Sequence, residues 1–153
     1  MSTEQKVAVI TGGSRGIGAA LVQAFRSRNY RIVATSRSIE PCRDEDLVTV
    51  QGDVADPNTA NRVFKEALSR FGRVDTLVNN AGTFIPKPFI SYSNDDYATY
   101  IATNVTGFFH VTQRAMELMS QAGRGHVVTV TSSLVDQPMS SVPVSSHLSP
   151  RVR

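Results

Sequence analysis

The chain has 153 residues, of which 41% are hydrophobic and 19% are charged, a composition typical of one globular domain. The net charge is only +3 and the arginines are scattered along the chain, so the sequence does not predict a nucleic-acid-binding surface. No apolar run approaches the length of a membrane span, the first residues lack a signal-peptide stretch, and Cys42 is the only cysteine. We therefore expect a cytoplasmic protein without disulfides or a membrane-spanning segment.

Short valine-rich segments alternate with amphipathic segments along the chain. The valine-rich segments predict strands, which are expected at 6–11, 31–36, 47–51, 76–79 and 126–131. Helices are expected between the strands, because apolar residues recur there with helical spacing. Such alternation predicts an α/β fold, in which a doubly wound parallel sheet is covered by helices on both faces.

Two of the helices have clear start signals. A helix over 57–71 is predicted because Asp56 is a good N-cap and is followed by a proline. A longer helix is predicted from Asn94 to Met119, because the serine before it and the aspartate at its third position have the spacing of a capping box.

A glycine-rich turn directly follows the first strand. Residues 11–18 read TGGSRGIG and open a helical pattern. Glycine accepts positive φ and lets a ligand approach the backbone, and a helix N-terminus directs unpaired N–H groups towards an anion. The spacing Gly-x3-Gly-x-Gly is neither the Gly-x-Gly-x2-Gly fingerprint nor a Walker A loop. The turn alone therefore leaves two interpretations open, a phosphate-binding site and an ordinary glycine-rich turn.

Four further polar segments follow, in the order that a nucleotide site requires. They are Asp53-Val54, residues 79–82 (NNAG), Asn104 and residues 131–133 (TSS). Together with the glycine turn they closely resemble the short-chain dehydrogenase/reductase family, over residues 6 to about 138. The resemblance implies a Rossmann-type, NADP(H)-binding domain over residues 1–138 that lacks the family's last strands and helices. Residues 139–153, beyond the family-like part, are expected to form an irregular tail.

The resemblance implies a role for each segment. In the family the glycine turn holds the pyrophosphate of a nicotinamide dinucleotide, the aspartate bonds the adenine, and the NNAG segment lines the nicotinamide ribose. Taken singly, Asp53 could instead cap its own loop, and residues 79–82 could form a simple strand-ending turn. The predicted cofactor-binding residues, including those after the second strand, are Gly12, Ser14, Arg15, Gly16, Ile17, Gly18, Ser36, Arg37, Asp53, Val54, Asn80, Ala81 and Gly82.

The segment after the second strand indicates which nicotinamide cofactor is bound. An NAD site places a carboxylate there to bond the ribose 2′-hydroxyl, whereas an NADP site places an arginine that meets the 2′-phosphate. Residues 34–38 read ATSRS, with Arg37 and no carboxylate, and Arg15 is a second candidate. NADP(H) is therefore predicted over NAD(H). The alternative is that both arginines are ordinary surface residues.

The catalytic residues of the family are only partly present. The family uses a serine, an asparagine and Tyr-x3-Lys, in which the lysine lowers the pKa of the tyrosine; Ser133 and Asn104 match the first two. No tyrosine of the chain is followed four residues later by a lysine, and the position where the tyrosine is expected holds Ser146. The sequence thus predicts an NADP(H)-dependent oxidoreductase for a carbonyl or alcohol substrate, catalytically incomplete and without a metal site. The alternative is a non-catalytic dinucleotide-binding or subunit-interaction protein, which forms homo- or hetero-oligomers through the long helix.

The end of the chain departs from the family's pattern. From about Val144 the sequence is rich in serine, proline and arginine, with no apolar stripe where a long helix is expected. This segment is predicted to be out of frame or aberrantly spliced. One possible coding sequence for residues 146–153, read after a shift of two nucleotides, encodes a lysine and small residues of the kind that the missing helix would carry. Without further strands, the fifth strand is expected to be an exposed edge.

Overall fold

The computed structural model describes residues 5–133. Within them the sheet has five parallel strands in the order β3-β2-β1-β4-β5, which confirms the predicted doubly wound parallel sheet. Ser146, the tail and the predicted boundary at residue 138 lie outside the described residues. The strands are β1 Val7–Thr11, β2 Arg31–Ser36, β3 Leu47–Gln51, β4 Thr76–Asn79 and β5 His126–Thr129.

The helices of the described residues lie on both faces of the sheet. The helix predicted over 57–71 is confirmed, and the Asp56 carboxylate accepts a hydrogen bond from the Asn58 N–H at 2.9 Å. The capping box of the long helix is also present. None of the helices described between residues 5 and 133 combines the length and the apolar character that crossing a bilayer requires. The α-helices are α1 Gly16–Arg26, α2 Pro57–Phe71, α3 Asn94–Tyr100 and α4 Phe108–Gln121.

The long helix differs from the prediction in its middle. Between α3 and α4, residues Ile101–Gly107 form a π-helical segment. The three pieces follow one another without a break, so the predicted span is helical throughout. Apolar spacing in the sequence does not reveal such a segment, because the change lies in the backbone hydrogen-bond pattern.

Apolar residues fill the space between the sheet and the helices on each face. On one face, Val22 of α1 packs with Ile10 and Ile32 of the strands. On the other face, Phe64 of α2 and Ala115 of α4 belong to a larger cluster that also contains strand valines. Strands buried on both faces have no polar side, which explains the continuous valine-rich runs of the sequence.

The connection between β2 and β3 contains no helix. Residues 37–46 form an irregular segment that includes an isolated bridge between Arg43 and Val48. The prediction of a helix between each pair of successive strands is therefore wrong at this place. The segment reads RSIEPCRDED, in which Pro41 interrupts a helix and Ile39 is the buried apolar side chain. One such residue provides no apolar stripe with which a helix could pack on the sheet.

Asp75 connects three strands at their amino-terminal ends. Its carboxylate accepts hydrogen bonds from the Val7 N–H at 2.9 Å and from two nitrogens of Arg73 at 2.8 and 2.6 Å. Arg124 Nε lies 3.7 Å from the same carboxylate, and the Asp75 carbonyl accepts a hydrogen bond from the His126 N–H. Burial by itself raises the pKa of Asp75, but the hydrogen bonds and guanidinium charges outweigh it and hold the pKa below its usual value.

The strand β5 is an edge of the described sheet. It pairs with β4 on one side, and no other strand within residues 5–133 lies on its second side. It ends at Thr129, before the predicted limit at 131. Val130, immediately after it, is 39% exposed. Within residues 5–133 the second side of β5 therefore presents backbone groups with which a further strand could pair.

Candidate functional site

An open cleft of about 360 Å³ lies at the carboxyl ends of the strands. It is beside β1, where the strand order reverses, and this is the usual ligand position in an open α/β sheet. The cleft is lined by every residue that the sequence predicts to bind the cofactor. It is also lined by three residues that the sequence analysis missed, Ser38, Gly52 and Thr103. The first two are chain neighbours of predicted residues, and Thr103 precedes Asn104 in the π-helical segment.

At two positions the glycine turn is packed so closely that no side chain fits. Gly12 has φ of +69°, and a Cβ atom there would lie 2.8 Å from Asn80 Nδ2. A Cβ atom at Gly18 would lie 2.0 Å from the Gly12 carbonyl oxygen. The residue before α1, Arg15, makes no side-chain capping hydrogen bond to the first turn. The N–H groups at the start of α1 are therefore available to an anion in the cleft.

Hydrogen bonds join the glycine turn to the end of β4. Thr11 Oγ1 accepts hydrogen bonds from the N–H groups of Asn80 at 3.0 Å and Ala81 at 2.9 Å. In return, Asn80 Nδ2 donates to the carbonyl oxygens of Thr11 at 3.0 Å and Gly12 at 3.3 Å. The Asn80 amide thus supports the turn, a contact that the sequence analysis did not foresee. The predicted contact of Asn80 with a nicotinamide ribose stays a prediction.

Asp53 and Val54 form the wall of the cleft after β3. Asp53 Oδ1 accepts a hydrogen bond from the Ala55 N–H at 2.9 Å, which is the loop-capping contact that the sequence left open as an alternative. The same residue also lines the cleft, so capping and ligand binding are compatible. Val54 is buried, and a Cβ atom at Gly107 would lie 2.5 Å from its Cγ2. The π-helical segment therefore packs directly against this wall.

Two arginines give the rim of the cleft its positive charge. Arg15 and Arg37 both line the cleft and are exposed, and neither forms an ion pair within residues 5–133. Asp53 is the one carboxylate on the wall. An exposed guanidinium without a carboxylate partner can meet a phosphate with charge-assisted hydrogen bonds.

The two residues predicted to be catalytic lie outside the wall of this cleft. Asn104 Oδ1 accepts a hydrogen bond from the Thr83 N–H at 2.8 Å, and Asn104 Nδ2 donates to the Thr83 carbonyl at 3.1 Å. This pair fixes the chain just beyond Gly82. Ser133 lies after β5 and is exposed, and no hydrogen bond within the described residues joins it to Asn104.

Two tyrosines make hydrogen bonds to the segment that follows β4. Tyr92 OH donates to the Ile85 carbonyl, and Tyr100 OH accepts from the Ile85 N–H. Burial, together with the neighbouring Tyr100, raises the pKa of Tyr92, whereas an acid/base tyrosine needs a lowered one. Lys87 forms an ion pair with Asp96. These side chains hold the segment after β4 against α3.

The strand order, the glycine turn and the position of the cleft define a Rossmann-type α/β domain. The short chain dehydrogenase family model matches residues 6–146. The chain belongs to this family, as the five sequence motifs implied.

Individual relatives agree with this assignment. A tropinone reductase homolog of Arabidopsis thaliana is 34% identical over 83% of the chain and 52% of its own length. Acetoacetyl-CoA reductase of Cupriavidus necator is 32% identical over 84% of the chain and 56% of its own length. The chain thus spans about half the length of the curated relatives it matches.

Solved structures show the same fold. ElxO, solved with NADP bound, superposes with a TM-score of 0.85 at 26% identity, covering 94% of this chain and 62% of ElxO. A short-chain dehydrogenase/reductase from Serratia marcescens has a TM-score of 0.82 and 31% identity, covering 93% of this chain and 65% of its own.

Proposed function

We propose that the chain is the NADP(H)-binding part of a short-chain dehydrogenase/reductase that acts on a carbonyl or alcohol substrate. The observation that carries this proposal is the cleft at the switch point, whose wall contains every predicted cofactor residue. Family membership and the NADP found in ElxO support it. We place the protein in the cytoplasm, in keeping with its single cysteine.

The residues of the cleft fit a dinucleotide phosphate ester. Gly16 borders open space, since a Cβ there would meet no protein atom within 4 Å, and the start of α1 offers N–H groups to a pyrophosphate. Asp53 would bond the adenine, residues 80–82 would line the nicotinamide ribose, and Arg37 with Arg15 would meet the 2′-phosphate. When bound, the cofactor supplies or accepts the hydride.

NADPH is expected to bind more tightly than NADH, and Arg37→Asp is expected to remove this preference. The substitution removes a charge-assisted contact and adds repulsion, so the Kd for NADPH should rise at least about tenfold while that for NADH changes little. Isothermal titration with both cofactors measures this. Arg28→Asp, a charge change on an exposed residue after α1, is the matched control. Equal affinities in the unmodified chain, or a preference that survives Arg37→Asp, would contradict the assignment.

Catalytic incompleteness is also part of the proposal. Asn104 supports the loop after β4 through Thr83, and Ser133 would hold the substrate oxygen, but the chain has no Tyr-x3-Lys to deliver the proton. The alternative function is a non-catalytic dinucleotide-binding or subunit-interaction protein. The missing proton donor and the exposed face of the long helix favour this alternative.

We propose that the long helix pairs with a second copy of the chain. Val105, Phe109 and Met116 are 39%, 53% and 58% exposed and have the spacing of one helical face. A row of exposed apolar side chains of this kind is typical of an interaction surface.

The double variant Phe109→Lys/Met116→Lys is expected to be a monomer, whereas the unmodified chain dimerises as its concentration rises. Two charges in an apolar interface cannot be buried without a large desolvation cost. Sedimentation velocity over a hundredfold concentration range, about 1 to 100 μM, covers typical weak dimers. Leu68→Lys, on α2 and 38% exposed, is the control. An unmodified chain that stays monomeric would refute the pairing.

A further inference from the structure

The segment that carries Arg37 borders open space. Residues 36–38 line the cofactor cleft. A second cavity of about 240 Å³ is lined by Ser38 and the two residues after it, together with Val22 of α1 and Leu47. No helix follows β2 to cover this segment. Arg37 and Ser38 are exposed, and the first core contact after them is made by Ile39, so the backbone at Arg37 depends on hydrogen bonds more than on its own packing.

Gln51, the last residue of β3, holds this segment by its side chain. Gln51 Nε2 donates a hydrogen bond to the carbonyl oxygen of Arg37 at 2.8 Å. The neighbouring residue Ser36 is held through backbone atoms, since the Gly52 N–H donates to its carbonyl at 3.0 Å. Ser38 N–H donates to Ser36 Oγ at a longer distance, 3.3 Å. Among the described residues, the Gln51 amide is thus the side chain that fixes the backbone of Arg37 itself.

Gln51 is in turn supported from α2. Arg62 Nη2 donates to the Gln51 carbonyl at 3.1 Å and lies 3.3 Å from Thr59 Oγ1. Thr59 is fully buried, so this chain of contacts reaches the interior of the fold. It runs from α2 through the end of β3 to the arginine at the rim of the cleft.

We propose that Gln51 is the positioning residue that makes the chain prefer NADP(H), because it holds the Arg37 backbone so that the guanidinium meets the 2′-phosphate. The inference rests on the proposed function. It adds a determinant of cofactor preference that does not itself touch the cofactor. Without the hydrogen bond from Gln51, the backbone and the guanidinium of Arg37 would lose conformational freedom when the phosphate binds, and this entropy cost would reduce the affinity for NADPH.

The test compares the variant Gln51→Met with the unmodified chain. Methionine keeps the length of the side chain and removes the hydrogen-bond donor. The matched control is Gln121→Met, which changes an exposed glutamine at the end of α4. Isothermal titration gives the Kd for NADPH and for NADH. Loss of one hydrogen bond corresponds to about a three- to tenfold weaker affinity for NADPH. The affinity for NADH should change less than about twofold, since NADH has no 2′-phosphate. Gln51→Ala, which shortens the side chain, is expected to give the same shift.

A double-variant cycle with Arg37→Ala separates this role from a general structural one. If Gln51 acts through Arg37, Gln51→Met has no further effect on NADPH affinity in the Arg37→Ala background. Equal weakening of both cofactors, an effect that persists without Arg37, or an unchanged preference in Gln51→Met would overturn the inference. In these cases the unmodified chain still prefers NADPH, so the proposed function stands. An unmodified chain without NADPH preference would overturn both.

Discussion

Replacing Asp75 with alanine is expected to lower the free energy of unfolding by about 3 kcal/mol or more, because it removes one member of a buried, hydrogen-bonded ion pair. The variant leaves the buried Val7 N–H without its acceptor and removes the carboxylate from Arg73, whose side chain is 14% exposed. The loss affects the starts of β1 and β4 and removes the carboxylate near Arg124, whereas the backbone hydrogen bond from the His126 N–H to the carbonyl of residue 75 is kept. Urea denaturation followed by circular dichroism measures it.

Two comparisons make this prediction specific. Glu117→Ala removes the partner of Arg114 in an exposed ion pair and is expected to cost less than about 1 kcal/mol. The pH dependence has a definite sign: the pKa of Asp75 is lower in the folded chain, so its contribution is present above about pH 4 and is lost as the pH falls below that value. The difference between the unmodified chain and Asp75→Ala should therefore narrow on acidification. A constant difference, or one no larger than that of Glu117→Ala, would argue against the buried ion pair.

The purified 153-residue chain, given NADPH and a panel of ketones, is expected to bind the cofactor with turnover that is absent or very slow. A positioned proton donor contributes about a hundredfold or more to such a step, and the Tyr-x3-Lys that would supply it is absent from the sequence. Oxidation of NADPH is followed by its absorbance, beside a relative that has Tyr-x3-Lys.

Ser133→Ala is the control, since it tests whether any observed activity belongs to this site. A rate of NADPH oxidation within about tenfold of that of the relative, and lowered by Ser133→Ala, would contradict the prediction. Turnover that appears only after a longer relative is added would instead support the subunit-interaction alternative.

The elements that the sequence predicted well are those whose signals are local. The bounds of α2 follow from Asp56 and Pro57 at its start and from Gly72 after its end, where φ is +73°. The strand β2 is predicted to the residue because its apolar run is bounded by polar residues on both sides. The cleft was also predictable, since parallel strands bring their carboxyl ends to one edge and the motifs follow those ends.

The features that were missed depend on contacts between distant residues or on backbone detail. The bond from Gln51 to Arg37, the amide of Asn80 beneath the glycine turn and the ion pair of Asp75 with Arg73 each involve the folded geometry. Polar residues on a sequence carry no periodic signal that would reveal such partners. The helix expected between β2 and β3 failed for a different reason: the prediction followed the general alternation and did not weigh the composition of that one segment.

The helix-free crossover of residues 37–46 has a consequence for how this protein could be altered. The first half of this segment carries the rim of the cleft. The second half is held against α1 and α2 by Asp44, which accepts hydrogen bonds from Arg26 and Arg70. Because β2 and β3 pair with each other directly along their length, the strands do not need this segment to stay in register. The corresponding segment of a relative could therefore be exchanged as one piece, with an apolar residue kept at the buried position of Ile39, to alter cofactor choice while the sheet beneath it is kept.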